Sequence, residues 1–400
     1  MLNDEKFTRV LTDVENGIYL ENFTISHTDV GDPGNWLITK RRLHGGLSDG
    51  VDEITVSNSE LSFKVLPTRG MNLYKGSYHG IPIGWNSPVK APVNPAFVNL
   101  MDMGGLGFLK GFNEWVCHCG LASHGGPGPD TITDDQGNVV SSTDLTLHGR
   151  IANIPAKYVE VQIIPGTPAE LVIIGVTEEA SFCGAQYRMT TRISTKVGSS
   201  LVTIRDEVLN YGALPAELEL LYHSNFGMPW AEGGAKLFAP VKTLCPRNSH
   251  AASDIAIWDT YQQPVAGFPE QCYYADMYGN PEGETLCVLQ NAAGDKAAAL
   301  RWNVRQLPYF CQWKHPNDDR EAYVTGLEPC TSFPNHKSFE RANGRVLTLE
   351  PGATYTTQVS YQFADNPADV QKLKAEVAEL QKCGPATINP AQLPQWTPDA

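Results

Sequence analysis

The chain has 400 residues, 30 Lys+Arg against 44 Asp+Glu, a formal net charge of −14, and 42% hydrophobic residues. That apolar content suffices for a large core and excludes low-complexity disorder, while the acidic balance argues against nucleic acid, whose phosphates need clustered Lys and Arg. No stretch approaches the roughly 20 apolar residues that span a bilayer, so no membrane partner is expected, and the charged start Met1-Leu2-Asn3-Asp4-Glu5-Lys6 precedes no apolar segment of a signal peptide.

In chain order, Leu61-Ser62-Phe63-Lys64-Val65 alternates apolar and polar residues and reads as a strand. The Gly-dense segment Gly104 to Pro129 reads as long loops. Leu171-Val172-Ile173-Ile174 and Leu201-Val202-Thr203-Ile204 read as buried strands, Ala216-Glu217-Leu218-Glu219-Leu220 as an alternating one, and Thr354 to Phe363 as a β-branched, aromatic strand. Turns such as Asp32-Pro33-Gly34, Asn210-Tyr211-Gly212 and Glu350-Pro351-Gly352 separate them. One helix is expected near the end. Asn366 caps it, Pro367 suits its first position, Val370, Leu373, Val377 and Leu380 share a face, and Gly384-Pro385 stops it. Many strands with little helix predict an all-β sandwich or barrel of antiparallel sheets. The expected organisation is one β domain over 1–365, a packed helix over 366–384 and an extended tail over 385–400.

Nine cysteines, an odd number without a framework, are expected to be mostly reduced and buried, as in a cytoplasmic protein. Gly104-Gly105-Leu106-Gly107 lacks the ending of a phosphate-binding loop, no dinucleotide pattern occurs, and no Gly-x-Ser-x-Gly elbow is present. Cys117-His118-Cys119 with His124 has zinc-ligand chemistry but no second pair at suitable spacing, so packing or a polar loop is the favoured reading. In a strand, Cys117 and Cys119 would face one way and His118 the other.

Three elements carry more weight together than singly: Leu147-His148-Gly149-Arg150, Leu221-Tyr222-His223-Ser224-Asn225-Phe226-Gly227, and Thr325-Gly326-Leu327-Glu328-Pro329, the last following Gln312-Trp313-Lys314-His315. Alone, a histidine at a strand end is usually structural, and a Glu before Pro is usually a solvated turn carboxylate.

In this order the elements resemble the aldose 1-epimerases of the galactose mutarotase superfamily. With Pro67-Thr68-Arg69-Gly70-Met71, Cys119-Gly120-Leu121 and Gly326-Leu327-Glu328-Pro329, the chain resembles the domain of unknown function 4432 branch, over about residues 10 to 365. The resemblance implies a β-supersandwich of large antiparallel sheets with a sugar cleft, and a mutarotase that needs no cofactor and no metal. It implies Glu328 as base on the anomeric hydroxyl and His223 as acid on the ring oxygen. His148 would hydrogen-bond the hemiacetal region or polarise the ring oxygen.

Arg69 and Arg150 depart from the arginine placement of ordinary mutarotases and could bind a uronic or phosphorylated sugar, or could pair internal carboxylates. Asp276, His124 and Lys314 are further substrate-binding candidates. Asn113 and Glu114, where the branch is more aliphatic, either enlarge the polar site or face solvent. The partner expected is a small-molecule sugar, with a homodimer left open. The other readings are a non-catalytic carbohydrate-binding protein on the same fold, and an isomerase or lyase acting on a keto-sugar or uronate, with Arg69 and Arg150 stabilising an enolate.

Overall fold

A computed structural model describes residues 6–398. Two large sheets face each other, and each is woven from distant parts of the chain. The first has ten strands, in the order Lys236–Phe238, Glu284–Gln290, Ala297–Asn303, Thr354–Ala364, Leu201–Asn210, Gln186–Lys196, Glu170–Ala180, Tyr158–Ile164, Phe7–Asp13 and Ile18–Tyr19. The second runs Thr387–Ile388, Val241–Pro246, Gln271–Met277, Tyr309–Pro316, Tyr323–Cys330, Ala216–Phe226, Val116–Leu121, Asn72–Tyr78, Leu61–Leu66, Asp52–Ser57, Leu37–Arg42 and Phe23–Ser26, with two short strands attached to it. Neighbours are antiparallel except Thr387–Ile388, which pairs in parallel with Val241–Pro246. The all-β expectation holds.

The strand period of two sorts each side chain to one face. In Ala216–Phe226 the even positions Leu218, Leu220, Tyr222 and Phe226 enter the core between the sheets, with Trp36, Trp115, Trp230 and Trp302. The odd positions Leu221 and His223 face the opposite side, where Phe108, Phe112, Cys117, Cys119 and Cys330 form a second apolar cluster. A third, of Cys245, Cys272, Tyr274, Cys311 and Phe333, continues along that face. The outer face of the second sheet is therefore buried over part of its area, and the site lies there.

Gly104 to Pro129 departs from the loop expectation. It contains Val116–Leu121, six buried residues paired between Asn72–Tyr78 and Ala216–Phe226. Glycines and polar side chains hide a strand whose faces are Cys117 and Cys119 on one side and His118 on the other, the latter hydrogen-bonded to Asn72 and Asp206. All nine cysteines are free and seven are buried.

The helix spans Pro367–Gln381. The Asn366 side chain accepts from the Asp369 N–H, and Val370, Leu373 and Val377 pack on Leu286, Val288, Ala297 and Ala299. Beyond it the chain is less extended than expected: after Thr387–Ile388, Leu393 and Trp396 pack against the Phe333 cluster. Among the described residues no helix is long and apolar enough to cross a membrane.

Candidate active site

Sheet register brings His223 and Glu328 together. In the antiparallel pairing of their strands, Leu221 lies opposite Cys330 and Ser224 opposite Leu327, which sets His223 against Glu328 across the ladder. His223 Nε2 is 3.4 Å from Glu328 Oε1, and the two side chains are 5% and 2% exposed. Gly326 makes the approach possible: a Cβ there would sit 2.2 Å from Glu328 Oε1 and 3.0 Å from His223 Cε1.

Burial dominates the protonation of the pair. Loss of water pushes the Glu328 carboxyl well above the usual carboxylate range, with Cys272 adding to the shift and a Cys311 hydrogen bond opposing it. The same loss pulls His223 well below the usual imidazole value, and His148 adds to it. Both shifts favour a pair of zero net charge holding one proton. Glu328 Oε1 and His223 Nδ1 are buried without a hydrogen-bond partner among the described residues. Thirteen other buried side-chain atoms among the described residues share that state, but these two alone belong to both members of one acid–base contact.

His148 completes the group. Its ring meets the His223 ring edge-on, centroids 5.1 Å apart, and the Phe108 ring at 4.9 Å. His148 has φ 60°, a left-handed conformation uncommon for a residue with a Cβ. Gly125 O accepts from its N–H at 3.1 Å, its own carbonyl accepts from Gly120 N at 3.1 Å, and His124 O faces ring Nδ1 at 3.1 Å. Burial holds the imidazole down at about 4.

Aromatic rings wall the site. His223 lies 4.9 Å from Phe112 and 5.4 Å from Trp313, both edge-on. Trp313 Nε1 donates to Glu270 Oε2 at 2.8 Å, and Arg247 donates to Glu270 Oε1 at 3.5 Å. Arg247 and Glu270 are partly exposed and exert opposing fields on His148 and Glu328. They form a polar rim beside the buried acid–base pair. Sequence reading missed Phe108, Phe112, Arg247 and Glu270. Trp313 stood in a quoted segment, and its alternation with Cys311 is the signal that it shares the Glu328 face. Nothing local marks Arg247.

Of the other predicted binding residues, His124 touches the group through its carbonyl, and the rest make their contacts elsewhere. Arg69 is fully buried: its Nε donates to Glu114 at 2.6 Å, and its terminal nitrogens donate to Val93 O, Asn153 Oδ1 and Gly111 O. Of its two readings, the internal ion pair is the one realised. Glu114 and Asn113 are buried too, so neither faces solvent; Asn113 donates to Val89 O and Ala91 O. Lys314 points to the opposite side of its strand, donates to the carbonyls of Ile257, Trp258 and Thr260, and is pulled down to about 8 by burial. Asp276 lies 3.4 Å from Lys242. Arg150 is exposed and lines a separate cavity of about 810 Å³ with Gly149, Glu179 and Lys337, which includes neither His223 nor Glu328. His124 is buried behind His148, Nε2 2.9 Å from Ser332 Oγ.

The two-sheet architecture is that of the galactose mutarotase-like proteins. A galactose mutarotase-like protein from Clostridium acetobutylicum superposes with a TM-score of 0.54 at 13% identity, over 82% of this chain and 98% of that one. The Slr1438 protein of Synechocystis gives 0.52 at 13% identity, over 79% and 96%. These likenesses concern the fold alone. A crystal structure of a proposed aldose 1-epimerase from Klebsiella pneumoniae is far more similar, with a TM-score of 0.90 and 35% identity over 96% of this chain and 98% of that one. Comparison with curated proteins finds no match. The sequence profile of the domain of unknown function DUF4432 matches residues 48–363, and the chain belongs to that family.

Proposed function

We propose that this chain is a cofactor-independent sugar mutarotase, interconverting anomers by acid–base ring opening at C1. The observation that carries the reading is the His223–Glu328 pair, 3.4 Å apart, buried and bearing an unpartnered atom on each side chain. Ring opening takes one proton from the anomeric hydroxyl and delivers one to the ring oxygen; closure on the other face reverses both transfers. A pair holding one proton can do this without metal or redox chemistry. With the proton on His223, Glu328 is the base and His223 the acid. Opening moves the proton to Glu328 and closure returns it. This form differs from the neutral one that burial favours only in which member of the pair carries the proton.

Aromatic rings suit the C–H faces of a sugar. At the rim, Arg247 offers donors and Glu270 an acceptor to sugar hydroxyls. Arg69 and Arg150, which could have stabilised an enolate in the keto-sugar and uronate reading, make their contacts away from the pair and lend that reading no support.

The test is anomer-resolved ¹H NMR exchange with glucose, galactose, rhamnose, fucose, glucuronate and a hexose 6-phosphate. Exchange that wild type accelerates and Glu328→Gln does not is the expected result. Full activity of Glu328→Gln sinks the proposal. Sugar binding without exchange supports the non-catalytic carbohydrate-binding reading instead.

A further inference from the structure

We infer that Glu219, Ser332 and His124 form a positioning chain that fixes His148 as the Nδ1–H tautomer, so that its Nε2 is a hydrogen-bond acceptor for a sugar hydroxyl and cannot polarise the ring oxygen. The inference deepens the mutarotase reading and, for the word sugar, rests on it; the tautomer itself does not.

A backbone carbonyl only accepts, so the 3.1 Å contact between His148 Nδ1 and His124 O requires the proton on Nδ1. His148 is neutral at ordinary pH, since burial holds it down at about 4. Its Nε2 therefore presents a lone pair. It makes no hydrogen bond among the described residues. A ring oxygen carries no hydrogen and gains nothing from a second acceptor. A hydroxyl does, and the anomeric hydroxyl or its neighbour is the group within the chemistry of this site.

The residue that carries this carbonyl is itself held by its side chain. Ser332 Oγ donates to Glu219 Oε1 at 2.8 Å, so it accepts from His124 Nε2 at 2.9 Å. His124 and Glu219 are 0% exposed and Ser332 is 0% exposed. On the same segment, Lys337 Nζ donates to Ala122 O at 2.6 Å and Glu179 accepts from the Leu121 N–H at 2.8 Å. These bonds tie the residues just before the carbonyl to the neighbouring elements. The His148 turn is itself locked to this segment: a Cβ at Gly149 would sit 2.1 Å from Ser123 O and 2.4 Å from Gly120 O. A ring oriented by a bond at one nitrogen, so that the other works, is a recurrent device for histidine.

The experiment is long-range ¹H–¹⁵N correlation of the imidazoles of the full-length, ¹⁵N-histidine-labelled protein, with His148→Asn assigning the resonances. A protonated Nδ1 and an unprotonated Nε2 are expected near neutral pH, with no sugar present. A proton on Nε2 overturns the inference. Ser332→Ala should give a mixed His148 tautomer and Ser332→Thr should restore the single one; an unchanged tautomer in Ser332→Ala overturns the role of the chain. At saturation with whichever sugar of the panel binds, the Nε2 resonance should move as that of a nitrogen accepting a hydrogen bond while Nδ1 stays. An unmoved Nε2 overturns the hydroxyl contact. Where the tautomer is as inferred but no sugar exchanges its anomers, the mutarotase reading has failed and the positioning chain stands.

Discussion

Two of the buried acid–base pairs in the second sheet and its loops differ in what is left over. Arg69 and Glu114 meet at 2.6 Å with no exposure, and both Glu114 oxygens are engaged, by Arg69 and Asn72 on one and by the Asn113 N–H on the other. His223 and Glu328 meet at 3.4 Å, nearly as buried, with an atom of each unpartnered. The first pair is complete and can only hold structure. The second is incomplete, and the missing partners are what a substrate hydroxyl and ring oxygen would supply. Satisfaction of hydrogen bonds, more than burial or charge, separates these two pairs.

The sharpest way to break this comparison is substitution of one member of each pair. Glu328→Gln keeps the shape of the side chain and should lower mutarotation by about 10²–10⁴-fold, the usual worth of a general acid–base group, with the folded state retained by circular dichroism. Arg69→Met should do the reverse. It strands the Glu114 charge and should cost about 3–5 kcal/mol in urea unfolding, with activity per folded molecule little changed. Loss of activity in Arg69→Met without loss of stability would return Arg69 to the cleft. Gly326→Ala drives a methyl into the Glu328–His223 contact and should cost about 1–3 kcal/mol by overpacking as well as activity.

The pH dependence of stability sharpens the contrast further. The unfolded carboxyl of Glu328 ionises near 4.5, whereas the folded one holds its proton to higher pH. Between those values the unfolded state binds fewer protons, so this group lowers stability as pH rises above about 4.5. His223 acts in the opposite sense: its folded value lies below 6.5, so the unfolded state binds more protons as pH falls below 6.5 and stability drops there. The stability of Glu328→Gln relative to wild type should therefore grow as pH rises from 4.5, measured by thermal unfolding across pH. The smallest effect is expected at the rim. Arg247→Met removes a hydrogen-bond donor and should raise KM roughly fivefold, the worth of one such bond, with kcat nearly unchanged.

Periodicity and capping are local properties, and they were legible. Alternation marked Leu61–Leu66 and Ala216–Phe226, and Asn366 with Pro367 marked the helix start. Val116–Leu121 escaped because it is buried on both faces, with Gly120 and His118 where alternation would place a simpler pattern. The site was half legible. His148, His223 and Glu328 were found by resemblance, and the structure gathers them. Phe112 and Trp313 are ordinary aromatics until the fold turns them onto the His223 ring.

The amino-acid order by itself determined the strand-rich class, the terminal helix, the family, and the three residues now at the centre of the site. The tertiary structure alone decided which arginine meets which carboxylate, and which histidine nitrogen is free. Arg69 and Glu114 are 45 positions apart, and His148 and His124 are 24 apart. Such partners are set by sheet register and loop packing, where the cost of an unpaired buried polar group acts between residues that no local pattern connects.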